Sequence, residues 1–64
     1  MNIKNVYFKE PIQVQHPVAL RRYHVLDREH FELSIKGNWL IVTIEGNVTH
    51  IHISNISSVI FEAE

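Results

Sequence analysis

Two tetrapeptides of the same form, Lys36-Gly37-Asn38-Trp39 and Glu45-Gly46-Asn47-Val48, interrupt the most regularly alternating stretch of this chain. Gly-Asn is a favoured two-residue loop between antiparallel strands, because both residues tolerate the positive φ angles that tight hairpins need. Each tetrapeptide therefore predicts a hairpin. Together they predict a three-stranded antiparallel meander from about residue 31 to residue 54.

Counting outward from each Gly-Asn loop predicts the register of the meander. The first loop predicts the pairs Ile35–Leu40, Leu33–Val42 and Phe31–Ile44, and the second predicts Ile44–Thr49, Val42–Ile51 and Leu40–Ile53. The two registers agree on which side chains share a face, and a one-residue slip would move all of them to the other face. The predicted core face is Phe31, Leu33, Ile35, Leu40, Val42, Ile44, Ile51 and Ile53.

Weaker patterns on either side of the meander predict further short strands. Residues 3–8 read as a first strand, and residues 12–16, bracketed by Pro11 and Pro17, as a short edge strand, because proline cannot donate to a ladder. Residues 19–26 fit a strand or a single helical turn, and we favour the strand. Residues 27–29 predict a turn, residues 54–58 a turn or 3₁₀ segment, and residues 59–62 a last strand.

The length and composition predict a single small all-β domain spanning residues 1–64. Five or six antiparallel strands in 64 residues indicate a five- to six-stranded barrel or a strongly bent sheet. The turn followed by a short last strand resembles the ending of SH3-like and Sm-like small barrels. That resemblance concerns shape alone and implies no functional residue.

A core of this size supplies only about 3–5 kcal/mol unless something reinforces it. The chain has no cysteine, so disulfides and thiolate metal sites are excluded. Self-association remains the natural stabiliser, and we expect a homo-oligomer. We see no signal peptide and no apolar run of membrane-spanning length, so we expect a cytoplasmic protein without a membrane partner. A small viral or phage accessory protein in the host cytoplasm is compatible with this composition.

The second face of the meander is unusually apolar for a sheet surface in water. Its candidate interface residues are Trp39, Ile41, Thr43, Val48, His50 and His52, and it also carries Glu32, Ser34, Lys36, Glu45 and Ser54. One interpretation, which we favour, is that the first strand or residues 19–26 fold over this face as a second core layer. The other makes it an interface with another copy or with a protein partner.

Histidine is abundant, with five residues in 64. His50 and His52 point to the same side of one strand, and the predicted register brings Glu32 opposite His50 through Thr43 as a possible third metal ligand. We favour two exposed strand histidines and no metal. Full protonation would change the net charge from −1 to +4, since six basic residues and five imidazolium groups then oppose seven acidic residues. Self-association through this face should therefore weaken below a pH of about 6.5.

Nucleic-acid binding is the alternative function. Arg21, Arg22 and Tyr23, together with Trp39, combine cations with rings that can stack on bases. The net charge of −1 opposes this interpretation, because it provides no general attraction for phosphates.

The sequence offers little for catalysis or cofactor binding. It has no Gly-rich phosphate loop, no serine elbow and no cysteine nucleophile. We therefore predict a non-enzymatic, oligomer-forming β module that needs no cofactor and binds itself or a protein partner.

Overall fold

The computed structural model describes residues 2–15 and 20–63. Over these residues the chain forms six β-strands and one 3₁₀ turn, which confirms the predicted all-β class. The elements are β1 (Ile3–Gln15), β2 (Leu20–Asp27), β3 (Glu32–Lys36), β4 (Trp39–Ile44), β5 (Asn47–His52), the 3₁₀ turn (Ile53–Asn55) and β6 (Ile56–Phe61). They form two antiparallel three-stranded sheets: sheet A in the order β2-β1-β6 and sheet B in the order β3-β4-β5.

The first hairpin of sheet B has the predicted loop and register. Lys36 pairs with Trp39 across Gly37-Asn38, and Ile35 pairs with Leu40. Gly37 has a φ of 59° and is the only one of the two loop residues with a positive φ. A positive φ at the first loop position is the pattern of a type II′ turn, which matches the twist of paired strands.

The predicted register of the second hairpin is wrong by two residues. Its loop is Glu45-Gly46 rather than Gly46-Asn47, so Ile44 pairs with Asn47 and Val42 with Thr49. Glu45 and Gly46 have φ angles of 45° and 83°, the pattern of a type I′ turn. Gly46 can occupy the first position of the predicted loop, Gly46-Asn47, or the second position of the observed loop, Glu45-Gly46. Because the register differs by two residues, every side chain stays on its predicted face of the sheet.

Sheet A is less regular than the prediction for its strands. The separate strands predicted at residues 3–8 and 12–16 are one strand, β1, whose register against β2 shifts between Tyr7 and Ile12. Pro11 lies in this irregular stretch, where its lack of a backbone N–H does not interrupt a regular ladder of hydrogen bonds. The predicted His16 and Pro17 lie outside the described residues.

The asparagine of the 3₁₀ turn ties the chain's second half to this irregular part of β1. Asn55 Oδ1 accepts a hydrogen bond from Glu10 N–H at 3.0 Å, and Asn55 Nδ2 donates to Glu10 O at 3.2 Å. One side-chain amide thus satisfies both backbone groups of a residue in a bulged strand, as a neighbouring strand would.

The other predicted elements are present with shifted ends. The strand expected at residues 19–26 is β2, with Ala19 outside the described residues, and a turn follows Asp27. The 3₁₀ turn comes slightly earlier than predicted, and β6 begins at Ile56 rather than at residue 59.

The two sheets share one hydrophobic core. Sheet A contributes Ile3, Val6, Phe8, Ile12, Val14 and Leu26, which pack with Leu40, Val42 and Ile51 of sheet B and with Phe31 from the turn before β3. The predicted core face is correct at its centre, whereas Leu33 and Ile44 are half-buried. Ile35 and Ile53, also predicted as core, are 40% and 37% exposed. Ile35 lies at the hairpin end of its strand, and the register shift removes Ile53 from the ladder.

Within the described residues, no helix has the length and apolar character needed to cross a membrane.

Candidate functional site

The outward surface of sheet B, called the open face below, is a regular grid of side chains. Cross-strand pairing arranges nine residues in three rows: Glu32–Thr43–Val48, Ser34–Ile41–His50 and Lys36–Trp39–His52. All six residues predicted as interface are in this grid. Glu45 and Ser54, also predicted for this face, lie in the hairpin loop and the 3₁₀ turn.

The interpretation that the first strand or residues 19–26 cover the open face is wrong for the residues that the structure describes. Sheet A packs on the opposite side of sheet B, where Val6 and Leu26 meet Leu40 and Val42 in the shared core. Packing on that side buries the apolar residues of both sheets, whereas packing on the open face would leave Leu40 and Val42 in water. Trp39 and Val48 are consequently 47% and 57% exposed.

Trp39 is held in place by its neighbour across the strand. Its ring meets that of His52 edge to face, with centroids 5.1 Å apart and planes at 90°. His52 Nδ1 in turn accepts a hydrogen bond from Ser54 N–H at 3.1 Å and lies 2.9 Å from Ser54 Oγ. The imidazole of His52 thus contacts both the 3₁₀ turn and the indole of Trp39. The open face thus carries an ordered aromatic residue at its hairpin end.

The possible metal site depended on the register that the structure corrects. Thr43 pairs with Val48, so Glu32 lies in the Val48 row, while His50 shares its row with Ile41 and Ser34. In the part of the chain that the structure describes, no three histidine or acidic side chains are grouped as metal ligands would be.

The residues of the nucleic-acid alternative do not form one surface. Arg21 and Arg22 are exposed on β2, but Tyr23 is half-buried, with its ring edge to face against Phe31 at 5.3 Å. Arg21 and Tyr23 line a groove that reaches Ile44, at the far end of β4 from Trp39. Ile44 is five residue steps along the strand from Trp39, a distance of about 17 Å.

Two features of the surface were not predicted. A groove of about 700 Å³ runs along the outer edge of β3, with Ile3, Phe31, Leu33, Ile35 and Phe61 as its apolar lining. The exposure of Ile35, which was predicted to be core, indicates this groove most clearly. The groove could not be predicted from local patterns, because Phe61 comes beside Ile3 only through the pairing of β1 with β6, which are far apart in sequence.

The second unpredicted feature is a charged pair in the turn between the sheets. His30 Nδ1 donates to Asp27 Oδ2 at 2.8 Å, and this hydrogen bond and the charge of Asp27 raise the pKa of His30 above its ordinary value, with a smaller contribution from Glu29. The pair is exposed, and Arg28 beside it forms an ion pair with Glu62.

Comparison of the chain with protein-family models, with curated proteins and with solved structures gives no match. The open face combines the exposed side chains of Trp39 and Val48, the half-buried Ile41 and two histidines on a regularly paired sheet.

Proposed function

We propose that the protein is a non-enzymatic β module that associates with another copy or with a protein partner through the open face. The observation that carries this proposal is the exposure of Trp39 and Val48 on a face that the described part of the chain leaves uncovered. Exposed apolar groups gathered on one surface favour association, and tryptophan is among the residues that contribute most at protein interfaces.

The arrangement of the face also supports binding. Trp39 is already oriented by His52, so little side-chain freedom is lost when a partner covers it. Ile41 and Thr43 form a half-buried centre, while Glu32, Lys36, His50 and His52 surround it with polar groups. An apolar centre with a polar rim is the usual anatomy of a protein interface.

The test compares one substitution on the open face with the same substitution elsewhere. Val48→Glu places a carboxylate on the open face, and Val25→Glu places one on the outward surface of sheet A, where Val25 is 39% exposed. Trp39 is the only tryptophan, so its fluorescence reports directly on the open face. Sedimentation mass and Trp39 emission are measured from micromolar to millimolar protein.

We expect the natural chain and Val25→Glu to associate with a blue shift of Trp39 emission, and Val48→Glu to lose the blue shift together with the association that accompanies it. A natural chain without a concentration-dependent blue shift, or a blue shift that persists in Val48→Glu, would contradict self-association through this face. A natural chain that instead binds oligonucleotides with quenching of Trp39 would support the nucleic-acid alternative.

A further inference from the structure

Among the described residues 2–15 and 20–63, no strand lies beside the outer edge of β3. β3 pairs only with β4, whereas the other edge strand of sheet B, β5, lies next to β1. In a two-residue hairpin the pair that flanks the loop is hydrogen-bonded, and bonded pairs alternate along the ladder. Since Lys36–Trp39 flanks the loop, Ser34 and Glu32 also bond to β4. The N–H and C=O groups of Leu33 and Ile35 therefore point outward, which is a template for another strand.

The sequence of β3 is complementary to itself when read in the opposite direction. If two copies of Glu32-Leu33-Ser34-Ile35-Lys36 pair antiparallel about Ser34, Glu32 of each copy faces Lys36 of the other. Leu33 faces Ile35, and Ser34 faces Ser34. We propose that the chain forms a two-fold dimer in which β3 pairs with β3 of a second copy in this register.

The hydrogen-bonding pattern agrees with this register. Leu33 of one copy faces Ile35 of the other, and these are the residues whose backbone groups point outward on both strands. Each Leu33–Ile35 pair can exchange two N–H···O=C hydrogen bonds. The two-fold axis through Ser34 generates this pair twice, once on each side of the axis.

The apolar groove along β3 supplies a place for the second copy's side chains. Leu33 and Ile35 of that copy would point to the core side of the combined sheet, where the groove is lined by Ile3, Phe31 and Phe61. Ile35 and Phe61 are 40% and 47% exposed in the single chain, and the dimer removes both from water.

Neighbouring registers lack this complementarity. Pairing centred on Leu33 places Glu32 opposite Ser34 and Lys36 opposite His30, and pairing centred on Ile35 places Leu33 opposite Gly37. A register shifted by one residue would put core-side groups of one copy on the open face of the other. Only the Ser34-centred register joins opposite charges at both ends.

The dimer does not depend on the proposed function of the open face. Edge pairing extends sheet B to six strands and leaves both open faces uncovered, side by side on one surface. A failure of one proposal is therefore distinguishable from a failure of the other, because Val48→Glu alters the open face and leaves the β3 edge intact.

Glu32 and Lys36 also lie on the open face, so charge reversal is made in the Val48→Glu background, where it tests the β3 register alone. Glu32→Lys and Lys36→Glu each place like charges opposite one another at both ends of the paired strands, and we expect each to raise the dimer dissociation constant by about ten-fold or more. A mixture of the two variants restores both opposite-charge pairs in a heterodimer. We expect this mixture, and the double variant E32K/K36E, to regain the dimer mass in sedimentation.

Lys9→Glu and Glu10→Lys serve as controls, since they make the same charge changes at exposed positions of β1. Protection of the Leu33 and Ile35 amides from hydrogen exchange on dimerisation provides an independent readout. A chain that remains monomeric to millimolar concentration would overturn the proposal. So would a dimer whose stability is the same in the mixture and in the separate variants.

Discussion

The two sheets of this molecule are built in contrasting ways. In sheet B every residue from Glu32 to Lys36 pairs in unbroken order with β4, and β4 pairs in unbroken order with β5. In sheet A the register shifts once between β1 and β2 and twice between β1 and β6. Sheet B consists of neighbours in sequence joined by two-residue loops, whereas sheet A joins the first strand to the last.

The contrast shows which interactions compensate for irregular pairing. Sheet A is supplemented by side chains from distant segments: Asn55 bonds both backbone groups of Glu10, and Arg28 forms an ion pair with Glu62. Sheet B relies on the hydrogen bonds between its strands and on the core. Its backbone is strained at Glu45, a non-glycine residue with a φ of 45°.

The largest expected effect tests whether the two sheets depend on one core. Leu40 in sheet B and Leu26 in sheet A are both fully buried, so Leu40→Ala and Leu26→Ala should each lower the free energy of unfolding by about 2–5 kcal/mol. Urea denaturation followed by far-UV circular dichroism and by Trp39 fluorescence measures this.

Val25→Ala is the control, because Val25 is 39% exposed and should cost clearly less. If Leu26→Ala leaves the Trp39 transition in place while the circular dichroism signal shifts, the sheets unfold separately and the shared core is not what couples them.

A smaller effect should be confined to sheet A. Asn55→Ala removes the two hydrogen bonds to Glu10, whose backbone groups then turn to water, and should cost about 1 kcal/mol. Hydrogen exchange should speed up at Glu10 and its neighbours in β1 while the amides of β4 keep their relative protection. Equal acceleration in both sheets would argue against a local role for this asparagine.

The smallest effect concerns the turn that joins the sheets. Asp27 raises the pKa of His30 in the folded state, so the pair adds stability below about pH 6.5 and loses it as the pH rises through the raised value. Titration of the His30 ring signals by NMR should show this upward shift. Asp27→Asn should bring the midpoint down, and an unchanged midpoint would exclude the ion pair as its cause.

Sheet B was largely predictable because its determinants are local. Gly37 and the alternation of apolar and polar residues around it are enough to predict the register of the first hairpin. In the second hairpin Gly46 fits two different loops, so the cross-strand partners were predicted wrongly. The alternation still assigned each side chain to the correct face of the sheet. Trp39, Ile41, Val48, His50 and His52 were correctly placed on one face for the same reason.

What covers each face was not predictable, since it depends on where strands distant in sequence come to lie. Pro11 suggested a break, yet β1 continues through it because the residue falls where the ladder is already irregular. The groove beside β3 depends on Ile3 meeting Phe61, and no local pattern in either segment indicates that contact.

The pairing of β1 with β6 has a consequence for the order of folding. Ile3 and Phe61 meet only after nearly the whole chain has been brought into a loop, whereas each hairpin of sheet B closes over two residues. Loop-closure entropy and contact order therefore favour early formation of the meander and of the β1–β2 pairing, where Gln15 lies opposite Leu20, with the β1–β6 pairing formed late. During synthesis β1 emerges before β6, so its β6-side edge stays unpaired until β6 arrives.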